Sequence, residues 1–168
     1  IRGIIVPGGF DKRGTQGMID ACTYARENKI PYFGLCLGMQ IMVIEAARNL
    51  LRYEDSNSTE FDETTSFTVI DLMPEQLKNL HKGASMRLGL YECNLADSTY
   101  TKKIYKQNKI KERHRHRFEF NNDYKEELGN AGLVYSGTSP NGNLVEIAEL
   151  ADHPFMTGVQ FHPEFLSR

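Results

Sequence analysis

Gly34-Leu35-Cys36-Leu37-Gly38-Met39-Gln40 sets one cysteine between two glycines, where a short apolar run meets a long helix-like one. That is the layout of a nucleophile elbow, a sharp strand-to-helix turn that holds a reactive side chain clear of the backbone. Glycines flank such a turn because bulkier neighbours would clash with the turn or with a substrate. A cysteine opening a helix also lies at the positive end of the helix dipole, which favours the thiolate. The competing reading of the same residues is a buried core cysteine, a common fate of a free thiol. Before the elbow, Pro31 opens an apolar strand, Tyr32 to Leu35. After it, Leu37 to Leu51 is apolar on almost every side, broken by Gln40, Glu45, Arg48 and Asn49, so the helix is expected to be buried on most faces.

The same rhythm holds upstream. Gly3 to Val6 reads as a buried strand running into Pro7-Gly8-Gly9, a glycine-rich loop extends to Gly14, and Gly17 to Asn28 has helical periodicity through Met18, Ile19, Cys22 and Ala25. Strand, helix, strand, elbow and helix predict an α/β domain built on a mostly parallel sheet flanked by helices. Downstream, Glu54 to Ser66 is polar and turn-rich, and Leu77 to Gly83 reads as a loop. Strands are expected over Phe67 to Met73, Met86 to Leu95, His116 to Phe120, Leu133 to Ser136, Leu144 to Leu150 and Phe155 to Phe161. Helices are expected near Thr99 to Lys106 and over Asn122 to Ala131, with Gly132 past the end, and Pro140-Asn141-Gly142 is a hairpin turn. No repeat or linker divides residues 1–168, which read as one domain. The chain opens at Ile1, without Met and already inside a strand, and so reads as a fragment whose first strands lie upstream.

Composition narrows the setting. A chain of 168 residues, 40% hydrophobic and 25% charged, matches a soluble globular domain able to bury a core. A net charge of −2 points to neither nucleic acid nor an anionic membrane as partner. Three scattered cysteines argue for a reducing, cytoplasmic compartment rather than a disulfide framework. No Cys-x-x-Cys or His-x-x-x-His pair suggests a metal. Asn57-Ser58-Thr59 matches a glycosylation acceptor, read as coincidental without a secretory signal.

A nucleophilic cysteine needs a base. Of the five histidines, His162 ends the last strand in Gln160-Phe161-His162-Pro163-Glu164. Active sites of open α/β sheets gather at the carboxyl ends of strands, where Cys36 also sits. Glu164, two residues on, can hold the imidazole in one tautomer and stabilise its charged form. A structural histidine capping a strand end is the alternative for this segment taken alone. Attack on a carbonyl also needs donors for the oxyanion. The Leu37 amide, opening the helix, is one, and the Pro7-Gly8-Gly9 loop, with Gly9 favoured, can supply the other. No Gly-Lys-Ser/Thr follows these glycines, so they are not a phosphate loop.

These three motifs together resemble the class I glutamine amidotransferases, the triad glutaminases. Asn57-Ser58-Thr59-Glu60-Phe61-Asp62, Met86-Arg87-Leu88-Gly89, Glu112 to Glu119 and Gln160 to Arg168 further resemble the glutaminase domain of the CTP synthases, with Glu75 to Ala84 shorter than is usual there. The resemblance implies a flavodoxin-like amidotransferase fold. It also implies a Cys36 thioester mechanism on L-glutamine, with His162 as base and acid, Glu164 as its orienting carboxylate, and Gly9 and Leu37 as the oxyanion hole. Glutamine contacts are implied at Gly9, Leu37, Gly38, Met39, Gln40, Glu60 and Arg117. A free amino acid needs a carboxylate for its ammonium and a donor such as Arg for its carboxylate. No cofactor is implied in this domain. ATP and Mg2+ belong to an upstream synthetase domain of the same polypeptide, which aminates UTP to CTP as a homo-oligomer, a tetramer. GTP is implied as an allosteric activator acting near Phe10 to Gly17, where this chain has Asp11 and Gln16 in place of the more usual glycine and glutamate.

Arg113 to Arg117 is too short and isolated for a nucleic-acid footprint and reads as a solvated strand edge, with Arg117 turned to substrate. His114 and His116 read as structural, and Cys22 and Cys93 as packing residues. The rival readings are another class I glutaminase, such as that of GMP synthetase, a γ-glutamyl hydrolase, and a catalytically silent regulatory domain of the same fold.

Overall fold

Two parallel strands and two helices deliver the chain to the elbow. β1 (Ile4–Val6) leads through α1 (Thr15–Glu27) to β2 (Tyr32–Leu35), and β2 turns at Cys36 into α2 (Leu37–Leu50). The computed structural model describes residues 1–10, 12–72 and 86–167. β3 (Asn57–Ser58) and β4 (Thr68–Asp71) follow, then β5 (Arg87–Leu95), α3 (Tyr100–Tyr105), β6 (Lys109–His116) and β7 (Glu119–Phe120). A 3-10 turn at Asn122–Tyr124 enters α4 (Lys125–Asn130), and β8 (Leu133–Thr138), β9 (Val145–Leu150) and β10 (Met156–Val159) close the order before a final 3-10 turn, Pro163–Phe165.

The main sheet has the order β1-β2-β10-β9-β8-β5-β6, and β3-β4-β7 form a small second sheet. β2 lies between β1 and β10 and is parallel to both, so the elbow leaves the sheet beside the end of β10. The expected α/β class holds, but the expected predominance of parallel pairing does not. From β10 outward every pairing, β10–β9, β9–β8, β8–β5 and β5–β6, is antiparallel. The links from β8 to β9 and from β9 to β10 are too short for the crossover that parallel neighbours require.

α2 explains why one helix can be apolar all round. Every residue from Leu37 to Ala47 is buried, between the main sheet, α1 and the small sheet. Its one acid in this stretch, Glu45, is fully buried and accepts from Arg26 Nε at 2.8 Å and Asn49 Nδ2 at 2.9 Å. The larger core joins α1, α2 and α4 to one face of the sheet, while Leu35, Cys93, Ile147, Val159 and Phe161 form a second cluster. Cys22 and Cys93 are both packing residues in these cores.

The strand expected over His116 to Phe120 is two elements, and the longer lies earlier, over Lys109–His116. Its residues alternate strictly between exposed and buried. The buried set is Ile110, Glu112, His114 and His116, so polar residues stand where apolar ones would have marked the period. Arg113 and Arg115 lie on the exposed side of this edge strand, as expected. The helix expected from Asn122 begins as a 3-10 turn, capped by the Asn121 side chain accepting from Asp123 N–H. The loop over Leu77 to Gly83, the end of the Phe67 to Met73 strand, and the short Glu75 to Ala84 stretch lie outside the described residues. Among the described residues no helix is long and apolar enough to cross a membrane.

Candidate active site

The elbow is built by close approaches that leave no room for a Cβ. One on Gly34 would lie 2.4 Å from the Gly38 carbonyl, and one on Gly38 would lie 2.2 Å from the Val6 oxygen. The first turn of α2 therefore rests directly on the ends of β1 and β2, and Tyr32 Oη donates to Gly38 O at 2.8 Å to hold it there. Cys36 takes φ 49° and ψ −99°, a left-handed-side conformation unusual for a residue with a side chain and typical of strained functional turns. Its N–H donates to Val159 O at 2.7 Å, which ties Cys36 to β10.

His162 follows β10 and its N–H donates to Arg113 O at 2.8 Å. Its Nδ1 lies 2.7 Å from Glu164 Oε1, so Nδ1 carries the proton donated to the carboxylate and Nε2 keeps the lone pair. Nε2 is buried and makes no hydrogen bond. The ring is also stacked on Phe165, with centroids 4.5 Å apart and planes 5° from parallel. One cleft is lined by Pro7, Gly8, Gly9, Cys36, His162 and Glu164. A Cβ on Gly8 would come 2.6 Å from His162 Cε1. Gly8→Ala is thus expected to push the imidazole out of line and lower kcat for any His162-dependent reaction about a hundredfold, since a displacement near 1 Å costs about that much. An unchanged kcat would show that the ring does not work from this position.

A second cleft adjoins the first through Gly9, Phe10 and Cys36, and adds Gln40, Glu60, Met86, His116, Arg117 and Phe118. The structure thus brings Cys36, His162, Glu164, Gly9, Gln40, Glu60 and Arg117 to two joined clefts. Gly38 and Met39 line neither. They are buried under the turn, Gly38 against Val6 and Met39 against Gly158. Gln40 Nε2 donates to Phe118 O at 3.1 Å and to Gln160 Oε1 at 3.3 Å, which leaves its carbonyl oxygen as its remaining acceptor.

Burial pushes the Cys36 thiol up to about 12, and the negative charges of Glu119 and Glu60 act in the same direction. The Leu37 N–H and the Gln160 side chain oppose them. The dipole-favoured thiolate expected from the sequence is therefore outweighed by desolvation, and the resting sulfur is a thiol. Behind it lies a buried polar cluster. Arg87 donates to both oxygens of Glu146, at 2.9 and 3.2 Å, and to Glu119 Oε1 at 3.2 Å. Burial still holds the Glu119 carboxyl up, at about 8. His114 and His116 are pushed down by burial to about 2 and about 3, so both are neutral structural imidazoles, in line with the sequence.

Three neighbours of the reacting groups escape the sequence reading: Gln160, whose Nε2 lies 3.7 Å from Cys36 Sγ, Phe165 under His162, and Phe10, which lines both clefts. Each stands within or beside one of the three motifs, but nothing in spacing alone says which way its side chain turns. Asp11 lies outside the described residues. Gln16 is engaged locally, donating to Asp20 Oδ1 at 2.7 Å.

Comparison with known proteins finds relatives along the whole chain. The chain is 58% identical over 168 residues to CTP synthase of Dehalococcoides mccartyi and 56% identical over 166 residues to that of Treponema denticola. It covers 100% and 99% of itself in those matches but only 31% of each relative, so it spans about a third of their length. The glutaminase domain of Trypanosoma brucei CTPS with bound acivicin superposes with a TM-score of 0.94 at 43% identity, covering 99% of this chain and 65% of that one. A glutamine amidotransferase of Thermotoga maritima shares the fold, with a TM-score of 0.63 at 12% identity over 97% of this chain and 56% of that one. The family model for class-I glutamine amidotransferases matches residues 1–168, and the chain belongs to that family.

Proposed function

We propose that this chain hydrolyses L-glutamine to glutamate and ammonia as the glutaminase part of a CTP synthase, the ammonia serving ATP-dependent amination of UTP. The observation that carries this reading is the shared cleft of Cys36 and His162, with Nδ1 tied to Glu164 and the unpartnered Nε2 left to take a proton. The similarity to CTP synthases supports the substrate and the destination of the ammonia.

The chemistry follows from the protonation states. Cys36 starts as a thiol, so its proton passes to His162 Nε2 as sulfur attacks the side-chain amide carbon of glutamine. The carbonyl oxygen becomes an alkoxide between the N–H groups of Leu37 and Gly9. Collapse breaks the C–N bond, His162 returns the proton to the leaving nitrogen, and ammonia departs from a glutamyl thioester. Water, deprotonated by His162, then releases glutamate and restores the thiol. Glu164 keeps the imidazole in the required tautomer and stabilises its cation in both halves.

In the second cleft, Arg117 pairs with the substrate α-carboxylate, while Glu60 and the Gln40 carbonyl oxygen receive the α-ammonium. The Gln40 assignment is forced in sign, because its amide hydrogens are already directed to Phe118 and Gln160. Arg117→Ala is expected to raise KM for glutamine roughly tenfold to a hundredfold, the loss of one charge-assisted contact. Alkylation of Cys36 by iodoacetamide, which carries no amino-acid group, should not change. Equal loss of both would make Arg117 a structural residue and remove the glutamine assignment.

ATP, Mg2+ and UTP are assigned to the upstream synthetase domain, and the tetrameric state to the full-length protein. GTP activation is a property expected of the whole enzyme, and in the segment implied for it Gln16 donates to Asp20.

A further inference from the structure

Cys36 Sγ faces a carboxamide that takes no part in the proton transfers of glutamine hydrolysis. Gln160 is fully buried at the end of β10, its N–H donates to Glu146 O at 2.8 Å, and its side-chain Nε2 lies 3.7 Å from the sulfur. A carboxamide can present either its oxygen or its nitrogen, so its orientation must come from its other neighbours.

Here one carbonyl decides it. Phe118 O can only accept, so the Gln40 side chain turns its nitrogen to it, at 3.1 Å. The second hydrogen on that nitrogen goes to Gln160 Oε1, at 3.3 Å. With its oxygen so engaged, Gln160 has only N–H to offer the sulfur. His116 Nδ1 also lies 3.1 Å from Phe118 O, and with that ring neutral it adds a second donor that fixes the carbonyl. Sign and direction are therefore transmitted from the backbone at Phe118 through Gln40 and Gln160 to Cys36.

We propose that Gln160 is a catalytic hydrogen-bond donor that stabilises the Cys36 thiolate as its proton moves to His162 Nε2, and that Gln40 is the positioning residue that keeps its N–H on the sulfur. The inference rests on the reading of Cys36 as the nucleophile. The need for such a donor is physical. Glu60 sets negative charge against a buried sulfur and Glu119 adds to it once ionised above about pH 8, and beside Gln160 only the Leu37 N–H opposes them. Arg115, Arg117 and His162 are the cationic or protonatable groups on the cleft walls, and His116 is neutral. An N–H directed at sulfur stabilises the anion more than the thiol, because hydrogen bonds to charged groups are the stronger ones.

The test uses Gln160→Met, which keeps length and removes the donor, and Gln160→Glu, which keeps shape and replaces the donor with an acceptor. Both are made in the intact protein, with thermal unfolding followed by circular dichroism to establish folding. Iodoacetamide alkylation of Cys36 is then followed across pH by mass spectrometry of the Cys36 peptide. Gln160→Met should slow labelling about tenfold at every pH below the inflection of the thiol, displacing the whole profile by about one pH unit, the equivalent of one hydrogen bond to an anion. Gln160→Glu should slow it further, and Gln40→Met should shift the profile in the same direction. An unshifted profile in a folded Gln160→Met protein overturns the proposal, and if that variant does not fold, an unshifted profile in Gln160→Glu does so. Failure of the unaltered protein to turn over glutamine would remove the glutaminase reading, while the alkylation profile would still decide the role of Gln160.

Discussion

If the proposed function holds, Cys36→Ala in the full-length protein is expected to abolish glutamine-dependent CTP formation, by about 10^4-fold or more, while leaving synthesis from added ammonia within a factor of about two. The expectation rests on placement as much as on chemistry. Cys36 is the only thiol on the walls of the two joined clefts among the described residues, since Cys22 and Cys93 are buried in the two cores. Alanine also keeps the elbow, because the backbone at this position is held by Cys36 N–H to Val159 O and by the helix that follows, not by the sulfur. A glutamine-mimicking electrophile should label unaltered Cys36 and leave the variant unlabelled. Glutamine use within tenfold of the unaltered protein would remove the thioester mechanism.

Gly38→Ala is expected to destabilise the fold severely for the addition of a single methyl group, by roughly 3 kcal/mol or more. The new Cβ would stand 2.2 Å from Val6 O and 3.1 Å from Val6 C, both backbone atoms of a strand paired along its length. No rotamer change can relieve such a clash, so either β1 or the first turn of α2 must move, and the elbow moves with it. Gly17→Ala is the control, because Gly17 lies in α1 with no atom within 4 Å of an added Cβ. It should be neutral or stabilising by up to about 1 kcal/mol, the helix preference for Ala over Gly. Urea unfolding midpoints distinguish the two. A Gly38→Ala protein that unfolds with the unaltered one would mean that the strand and helix do not meet as closely as this.

The elbow was legible because its signals are local. Two glycines four residues apart around a cysteine specify a close strand–helix contact, and the structure puts Gly34 against Gly38 at that spacing. The tie between His162 and Glu164 is equally local, separated by two residues and held by a proline-led turn. β6 was misplaced for the opposite reason. Its period is regular, but Glu112, His114 and His116 occupy the buried side, satisfied in part by neighbours such as Tyr105 and each other that no local pattern reveals. Beyond the hairpin read at Pro140-Asn141-Gly142, the antiparallel half of the sheet was hidden too, because strand order depends on which distant edges meet, and alternation of apolar residues is blind to direction.

By itself, the sequence determined the chemical parts of this protein: the cysteine on its tight turn, the histidine with its carboxylate, the glycines beside them, and the family to which such motifs belong. Tertiary structure decided how those parts are charged and aimed. Cys36 and Gln160 meet across 124 residues of chain, and that meeting gives the sulfur a side-chain donor beside the local Leu37 N–H. Burial, set by the packing of α2 and its neighbours, makes resting Cys36 a thiol rather than the thiolate that a helix N-terminus would favour in water. The reason is general. Bond-scale geometry is written in neighbouring residues, whereas desolvation and hydrogen-bond polarity depend on everything that surrounds an atom.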